Sequence, residues 1–471
     1  QPDSVPLELG MDSILAIEIR ARLARIGCAV GVRDLLGGRS IGAILADAAS
    51  AGAEAVEPCE PDAVAAHEPF ALTELQLAYL VGRSPSVPLG GTGCHVYWEF
   101  VTDRELDAGR LEAAWNRLIA AHGMLRAVFT DDGMQRIQPR VPPYRIAAHD
   151  LRGGEPEAPL AALRERMAHE VFEPTNWPLF RIETSRDGTG TRLHLSIDLL
   201  IIDVLSLFRL LRDWGRLYDD PAATPMAPAL TFRDYMVAFQ RVRSGPARER
   251  ALGFWERAMA EAPPAPVLPR ARSDADLRAA RFTRRRTELP QEGWTRLREQ
   301  AHACRATPNA LLLTLLGATL AHWSETAEFS LNLTVHDRRP VHPDVDRVIG
   351  DFTSTILVPV GSDREVGFAG RLRSVSDAVA ERLDHALVSG VEAARRFGTP
   401  AVRGALAWVF TSMLGYGSVL GHDRRITSLG RLDWGVTQTP QVLLDVQAFE
   451  EDGRLVMTWD SVDAAFPDGL F

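Results

Sequence analysis

The chain has 471 residues, 46% of them hydrophobic, which is enough for more than one packed domain. Its 62 acidic residues outnumber its 52 lysines and arginines, and the net charge of -10 argues against a nucleic-acid-binding protein. The sequence contains no apolar run that could span a membrane, and its start, Gln-Pro-Asp-Ser, lacks the features of a signal peptide. The four cysteines show no Cys-x-x-Cys spacing, so we expect no metal site, no disulfide framework and a cytoplasmic location.

The first 50 residues predict a small helical unit. The segment Leu9-Gly-Met-Asp-Ser13 precedes an amphipathic helix that ends at Gly27. Ser13 is either an N-cap residue or an exposed attachment point, because the amides at a helix N-terminus tolerate a phosphodiester. Residues 51–67 are rich in Ala, Glu and Pro without an amphipathic stripe, and they predict a linker.

A predicted strand and the helix after it carry two carboxylates. The strand runs from Leu193 to Asp198, and the helix continues from Asp203 to Trp214 with apolar residues at helical spacing. A carboxylate in apolar surroundings is costly unless it is paired or hydrogen-bonded. We therefore predict that Asp203 makes a buried ion pair with an arginine that holds two lobes together. Arg126 is a candidate partner, and Asp198 stays open between a structural and a chemical role.

The next elements along the chain are a buried helix and a strand. The helix is predicted from Thr307 as N-cap, with Pro308 at its first position, to Trp323, and it is apolar almost all round. A strand at 329–335 leads to Gly350-Asp-Phe-Thr353, which is either a Gly-Asp turn or part of a channel wall.

Two late segments predict strands that carry polar residues. The first contains Thr411 and alternates between apolar and polar positions. In the second, period-two alternation puts Asp445 on the same face as Leu443 and Gln447. The segment Glu450–Gly453 then turns the chain into a return strand. A carboxylate between apolar neighbours on a strand is either a satisfied structural group or a titratable group with a raised pKa.

Several motifs resemble, in order, those of heterocyclization (Cy) domains of nonribosomal peptide synthetases, which are relatives of condensation domains. Asp198 and Asp203 are similar to the Asp-x-x-x-x-Asp motif of Cy domains, and the sequence lacks the paired histidines that condensation domains carry there. The stretch ending at Ser13 resembles the phosphopantetheine attachment motif of carrier domains. The other matching segments are Phe70-Ala-Leu-Thr-Glu-Leu-Gln-Leu-Ala-Tyr-Leu-Val-Gly-Arg83, with Ala71 in place of a proline, His122-Gly-Met-Leu-Arg126, with Ala121 in place of an arginine, Gly350-Asp-Phe-Thr353, Trp408-Val-Phe-Thr-Ser-Met-Leu414 and Thr437-Gln-Thr-Pro-Gln-Val-Leu-Leu-Asp445.

The resemblance implies an α/β fold of the chloramphenicol-acetyltransferase-like type, with two lobes in a V and a tunnel between them. The implied lobes are residues 68–250 and 251–471. Residues 1–50 would be a partial carrier domain without its first helix, carrying 4'-phosphopantetheine on Ser13. The chain opens and closes abruptly, which is typical of a piece of a longer protein.

The implied reaction joins two substrates held on carriers. An upstream acyl-loading or adenylation domain would supply the acyl donor, and a downstream carrier would bring cysteine, serine or threonine. Amide formation would be followed by cyclodehydration to a thiazoline or oxazoline. The expected partners therefore include both of these domains and a phosphopantetheinyl transferase, with no nucleic acid and no membrane.

The resemblance also implies roles for individual residues. Asp445 would act as acid and base, Thr411 would hydrogen-bond it, and Asp198 would orient the amine. The remaining structural or channel-lining candidates are Asp203, Gln441, Gln438, Asp351, Thr353 and Arg126. Two alternatives stay open: a condensation domain that stops at the amide, and a non-catalytic module that only docks carriers.

Overall fold

The computed structural model describes residues 2–9, 11–48, 59–361, 366–416 and 426–471. A small N-terminal unit comes first, with helices α1 (Ser13–Arg25), α2 (Val32–Leu36) and α3 (Ile41–Ala48). Helix α1 begins at Ser13, but its N-cap is Asp12, whose side chain accepts the Leu15 N–H at 2.8 Å. The interpretation of Ser13 as an N-cap is therefore wrong, because the carboxylate one residue earlier takes that position. Within the described ranges, no helix is long and apolar enough to cross a bilayer.

The predicted linker begins in residues 49–58, which lie outside the described residues. At Cys59 the chain packs against the rest of the protein. The Cys59 N–H donates to the Val341 carbonyl oxygen at 2.8 Å, and the Cys59 side chain is buried.

The N-terminal lobe follows the linker. Its helices and strands are β1 (Phe70–Ala71), α4 (Glu74–Gly82), β2 (His95–Thr102), α5 (Ala108–Ala121), β3 (Ala127–Phe129), β4 (Met134–Ile137), β5 (Ala147–Asp150), α6 (Glu157–Ala168), β6 (Phe180–Asp187), β7 (Gly190–Asp198), α7 (Val204–Asp219) and α8 (Phe232–Val242). The next helix, α9 (Pro246–Ala260), packs into the core of the C-terminal lobe. One core of apolar side chains, including Trp115 and Leu118 of α5, packs between the main sheet of the N-terminal lobe and its helices.

The C-terminal lobe completes the chain. Its helices and strands are β8 (Thr283–Leu289), α10 (Gln291–Ala303), α11 (Pro308–Trp323), β9 (Glu328–His336), β10 (Thr353–Gly361), α12 (Phe368–Asp384), α13 (Gly390–Phe397), α14 (Pro400–Arg403), β11 (Trp408–Ser412), β12 (Arg431–Gln438), β13 (Leu444–Glu451) and β14 (Arg454–Ser461). Thr307 caps α11 as predicted, since its hydroxyl accepts the Ala310 N–H at 3.1 Å. A second core lies here and includes Met11, Val32 and Ile44 of the N-terminal unit.

Each lobe of the described chain is built on one large sheet. The C-terminal sheet has the order β10-β9-β11-β13-β14-β8, and β11 is parallel to both of its neighbours. The N-terminal sheet has the order β12-β2-β7-β6-β5. Strand β12 therefore leaves the C-terminal lobe and pairs antiparallel with β2 of the other lobe. The proposed boundary at residue 250 stays a prediction, and this exchanged strand is a feature that no single boundary can represent.

Candidate active site

Thr411 and Asp445 lie next to each other on parallel strands β11 and β13. The Thr411 hydroxyl donates to Asp445 Oδ1 at 3.1 Å. Both side chains line a cavity of about 1050 Å³ between the two lobes, and Asp445 is only 6% exposed. The predicted strand alternation is confirmed, because Leu443, Asp445 and Gln447 all face this chamber.

The chamber makes Asp445 an unusual carboxyl group. Burial raises the pKa of Asp445 to about 6, and the nearby charge of Asp460 acts in the same direction. Hydrogen bonds from Gln447 and Thr411 and the charge of Arg284 oppose this rise. A carboxyl group with such a pKa can both accept and donate a proton near neutral pH.

Both lobes contribute apolar and acidic side chains to the chamber. The N-terminal lobe supplies Tyr79 and Trp98 together with the carboxylate of Asp203, and the C-terminal lobe supplies Asp445 together with apolar side chains such as Trp408. The chamber is thus a largely apolar passage with a few polar groups, which is the general form of a small-molecule site.

Three of the other predicted residues are divided between the wall and the interior. Thr353 and Gln441 line the chamber, and Gln441 adopts the left-handed conformation with φ 63°, which is uncommon for a side chain other than glycine. Gln438 is buried but does not line the chamber, because alternation along β12 turns Thr437 inward instead. Of the two expected roles, a channel-lining role for Gln438 therefore has no support in the geometry.

Asp351 lies beneath the chamber wall rather than on it. Its Oδ1 accepts the Thr353 N–H at 3.0 Å, whereas its Oδ2 is buried without a hydrogen-bond partner among the described residues. Burial raises the pKa of Asp351 well above its usual value. The Asp351 side chain thus supports the turn before β10, as in the Gly-Asp turn interpretation, while Thr353 of the same segment lines the chamber.

Asp198 forms a buried ion pair inside the N-terminal lobe. The Arg83 guanidinium donates to its Oδ2, and the Leu200 N–H donates to its Oδ1 at 3.0 Å. Asp198 is fully buried and is not among the residues that line the chamber. An amine-orienting role for Asp198 therefore has no support, because both of its oxygens are already bonded to the protein.

Asp203 links the two lobes, but not through Arg126. Its Oδ2 lies 3.3 Å from His336 Nδ1 and 3.7 Å from Arg338 Nη2, both from the C-terminal lobe. Burial alone would raise the pKa of Asp203, but His336 and Arg338 hold it well below its usual value. The candidate pairing of Arg126 with Asp203 is wrong, because the Arg126 guanidinium donates to carbonyl oxygens of its own lobe, including that of Gln138 at 3.0 Å.

Three polar residues beside Asp445 received no role in the sequence analysis: Gln447, Asp460 and Arg284. The register of the final hairpin could have indicated Asp460. With Asp452 and Gly453 as a two-residue turn, Glu451 pairs with Arg454, and Asp445 then pairs with Asp460. Arg284 gave no such signal, because it reaches the site from a strand far away in the sequence.

Comparisons with known proteins agree with this geometry. Residues 90–430 match the condensation domain family, and residues 2–47 match the phosphopantetheine attachment site family. The EpoB NRPS cyclization-docking bidomain from Sorangium cellulosum is 35% identical with a TM-score of 0.78, and the match covers 88% of this chain and 84% of that one. This chain belongs to the condensation domain family as a cyclization domain.

Two curated relatives of this cyclization domain are much longer proteins. Pyochelin synthetase PchF of Pseudomonas aeruginosa is 36% identical over 415 residues, which are 87% of this chain and 23% of the synthetase. Phenyloxazoline synthase MbtB of Mycolicibacterium paratuberculosis is 34% identical over an alignment of 485 positions, which covers 100% of this chain and 41% of that protein. The chain therefore spans less than half of either relative.

The carrier domain in front of the cyclization domain lies against its C-terminal lobe. Both oxygens of Asp384 on α12 accept backbone N–H groups from α2, and the Arg20 guanidinium of α1 donates to the Leu383 carbonyl oxygen at 3.2 Å. A small cavity of about 120 Å³ separates α1 from this lobe, and His336 and Tyr416 line both this cavity and the chamber.

The family match at residues 2–47 indicates a covalently attached 4'-phosphopantetheine, and Ser13 stays the predicted attachment residue. The Ser13 side chain lies outside the described residues, whereas its backbone forms the first residue of α1. The start of α1 is close to the cyclization domain, since a Cβ atom added to Gly415 would meet the Asp12 side chain. This position fits a phosphopantetheine group, which would supply a thiol at the start of α1.

Proposed function

We propose that this cyclization domain joins an acyl group from its own carrier to a cysteine, serine or threonine on a downstream carrier and then closes the ring to a thiazoline or oxazoline. The observation that carries this proposal is the contact between Thr411 and Asp445 at the wall of the chamber, with an Asp445 pKa of about 6. An acid that can gain and lose a proton, held in an apolar space, suits the removal of water from an amide.

The first step needs little from the protein beyond placement. An amine attacks the acyl donor, the C–S bond of the thioester breaks, and an amide and a thiol result. Holding both reactants in one chamber supplies most of the rate enhancement for such a reaction. This accounts for a domain that works with Asp198 bonded to Arg83 and without paired histidines.

The second step uses Asp445. The side-chain sulfur or oxygen attacks the amide carbon while protonated Asp445 gives its proton to the carbonyl oxygen and takes the proton of the attacking group, so Asp445 is protonated again. The C–O bond then breaks as Asp445 protonates the departing hydroxyl group, and the resulting Asp445 carboxylate accepts the N–H proton of the nitrogen, so a C=N bond and one water form. Thr411 holds Asp445 in place through its hydroxyl group.

The proposed partners follow from this chemistry. A downstream carrier brings the amino acid, an upstream adenylation or acyl-loading domain charges the carrier in this chain, and a phosphopantetheinyl transferase modifies Ser13. The names of the relatives PchF and MbtB connect them with pyochelin and phenyloxazoline, and the latter contains an oxazoline ring. This supports a five-membered heterocycle as the product class of this chain.

Substitution of the two central residues tests the proposal. With both carriers loaded, Asp445→Ala and Thr411→Ala should yield the linear amide, which is heavier than the ring by one water, and Asp445→Ala should lower ring formation by at least about 100-fold. Intact-carrier mass spectrometry separates the two products.

A suitable control is Thr458→Ala, which removes a buried threonine hydroxyl on β14 that has no hydrogen-bond partner in the described part of the chain and does not line the chamber. It should make the ring at the rate of the unmodified chain. An undiminished ring yield from Asp445→Ala would rule out the proposal, and unmodified chain that yields only amide would favour the simple condensation domain.

A further inference from the structure

A row of three charged side chains crosses the C-terminal sheet behind the proposed acid. Asp445 on β13 is directly opposite Asp460 on β14, and Asp460 is directly opposite Arg284 on β8. Asp460 is fully buried. The Arg284 guanidinium donates to both of its oxygens, with 2.7 Å between Nε and Oδ1. Such a two-pronged pair keeps a buried carboxylate ionised.

Gln447 joins this ion pair to Asp445. Its Nε2 donates to Asp445 Oδ2 at 2.7 Å and to Asp460 Oδ2 at 3.4 Å, and its Oε1 accepts from Arg284 Nη2 at 3.2 Å. The Thr437 N–H also donates to Asp460 Oδ2, at 3.2 Å. The two carboxyl groups are therefore held in fixed places side by side, and neither is free to turn away from the other.

The charges that face Asp445 come from several elements. Burial raises the pKa of Asp460 on β14, and the charge and hydrogen bonds of Arg284 on β8 oppose this rise and favour the ionised carboxylate, whereas Thr411 on β11 and Gln447 on β13 are neutral. Tyr79 on α4 is also neutral, because burial raises the pKa of its phenol well above the usual value. Asp460 raises the pKa of Asp445, and Gln447 and Arg284 lower it. The ionised neighbour and the amide donor therefore act on Asp445 in opposite directions.

We propose that Asp460, Arg284 and Gln447 are positioning residues for ring closure, a buried network whose geometry sets how readily Asp445 holds a proton. The inference rests on the proposed function, since it assigns these three residues to the same site. None of them needs to touch the substrate: Asp460 acts through its charge, Arg284 keeps Asp460 ionised, and Gln447 holds the proton-carrying group in the chamber.

Two variants should move the pH dependence in opposite directions. Asp460→Asn removes the negative neighbour and leaves Arg284 in place. Ring formation falls as pH rises, and the pH at which it reaches half of its maximum should drop by about one unit. The rate of ring formation at pH 7 should drop about tenfold. Gln447→Leu removes a hydrogen bond to the ionised form of Asp445, so the midpoint should rise. The measurement is ring and amide formation from loaded carriers between pH 5 and pH 9, with the full chain.

The matched control is Asp463→Asn. Asp463 also pairs with an arginine of β8, because Arg285 Nη2 lies 2.8 Å from its Oδ2, but this pair is more exposed and does not face Asp445. The pH midpoint of ring formation by Asp463→Asn should equal that of the unmodified chain. The rate of amide formation reports whether each variant is folded.

Opposite shifts for Asp460→Asn and Gln447→Leu, with none for Asp463→Asn, support the network. An unchanged or raised midpoint in a folded Asp460→Asn variant overturns it, and so does an equal shift for Asp463→Asn. If Asp460→Asn makes no amide, Gln447→Leu decides alone, and the absence of a rise overturns the inference. None of these results touches the proposed function, which fails only if Asp445→Ala still closes the ring.

Discussion

The pair of Arg83 and Asp198 shows how a motif residue can be structural. Both side chains are buried, at 9% and 0% exposure, and burial raises the pKa of Asp198 against the opposing charge of Arg83. The sequence indicated correctly that a carboxylate in this apolar stretch needs a partner. It could not indicate which arginine, because Arg83 is more than a hundred residues away and contacts Asp198 only through the folded sheet.

Loss of Arg83 should destabilise the protein in a pH-dependent way. Arg83→Ala leaves the Asp198 charge buried and unpaired, which costs about 3 kcal/mol in the free energy of unfolding at pH 8. A carboxyl whose pKa is raised in the folded state binds more protons folded than unfolded, so stability recovers as pH falls. Urea unfolding should therefore show that Arg83→Ala loses less of the free energy of unfolding at pH 5 than at pH 8.

The control for this prediction is Arg152→Ala, which breaks an exposed pair with Asp150. Exposed pairs contribute little, so its urea midpoint should match that of the unmodified chain at both pH values. A deficit of Arg83→Ala that is equal at pH 5 and pH 8 would contradict the assignment of the buried charge.

At the scale of elements, local signals predicted helices and strands well. Thr307 and Pro308 marked the start of α11, and period-two alternation placed Asp445 on the chamber side of β13. A local signal failed for Ser13, where Asp12 takes the cap, and the resemblance failed for Gln438 as a channel-lining residue, because Thr437 faces the chamber instead. They also could not show which sheet β12 joins, because strand pairing depends on residues distant in sequence.

The cap of α11 gives a prediction about a single element. Thr307→Ala removes the side chain that accepts the Ala310 N–H, so the free energy of unfolding should fall by about 1 kcal/mol. The control, Thr319→Ala, changes an exposed threonine in the same helix and should be neutral or slightly stabilising, since alanine has the higher helix propensity. Thermal unfolding compares the two, and equal changes would contradict a capping role.

At the scale of the whole molecule, Asp203 is a contact between lobes. It caps α7 of the N-terminal lobe, because its Oδ1 accepts the Ser206 N–H at 2.6 Å, while its Oδ2 faces Arg338 of the C-terminal lobe. The resemblance of motifs predicted two lobes with a chamber between them, and the fold of relatives such as the EpoB bidomain confirms that architecture. The residues that hold the lobes together were only partly predictable, since Asp203 was identified and Arg338 was not.

Weakening this contact should affect both reaction steps alike. Asp203→Asn should lower amide and ring formation by a similar factor, about tenfold, because the chamber requires both lobes in place. The low pKa of Asp203 keeps its carboxylate ionised above pH 5, so the comparison is made at pH 7 to 8. Asp213→Asn, a buried aspartate of the same helix that pairs with Arg216 inside one lobe, is the control. Selective loss of the ring in Asp203→Asn would contradict the interlobe role.

The exchange of β12 has a practical consequence for engineered synthetases. Residues 431–438 complete the N-terminal sheet beside β2, although they follow most of the C-terminal lobe in the sequence. A chimera that joins the first half of one cyclization domain to the second half of another would therefore pair strands from different parents within one sheet. Recombination that moves this short strand together with residues 95–198 would keep the parental pairing intact.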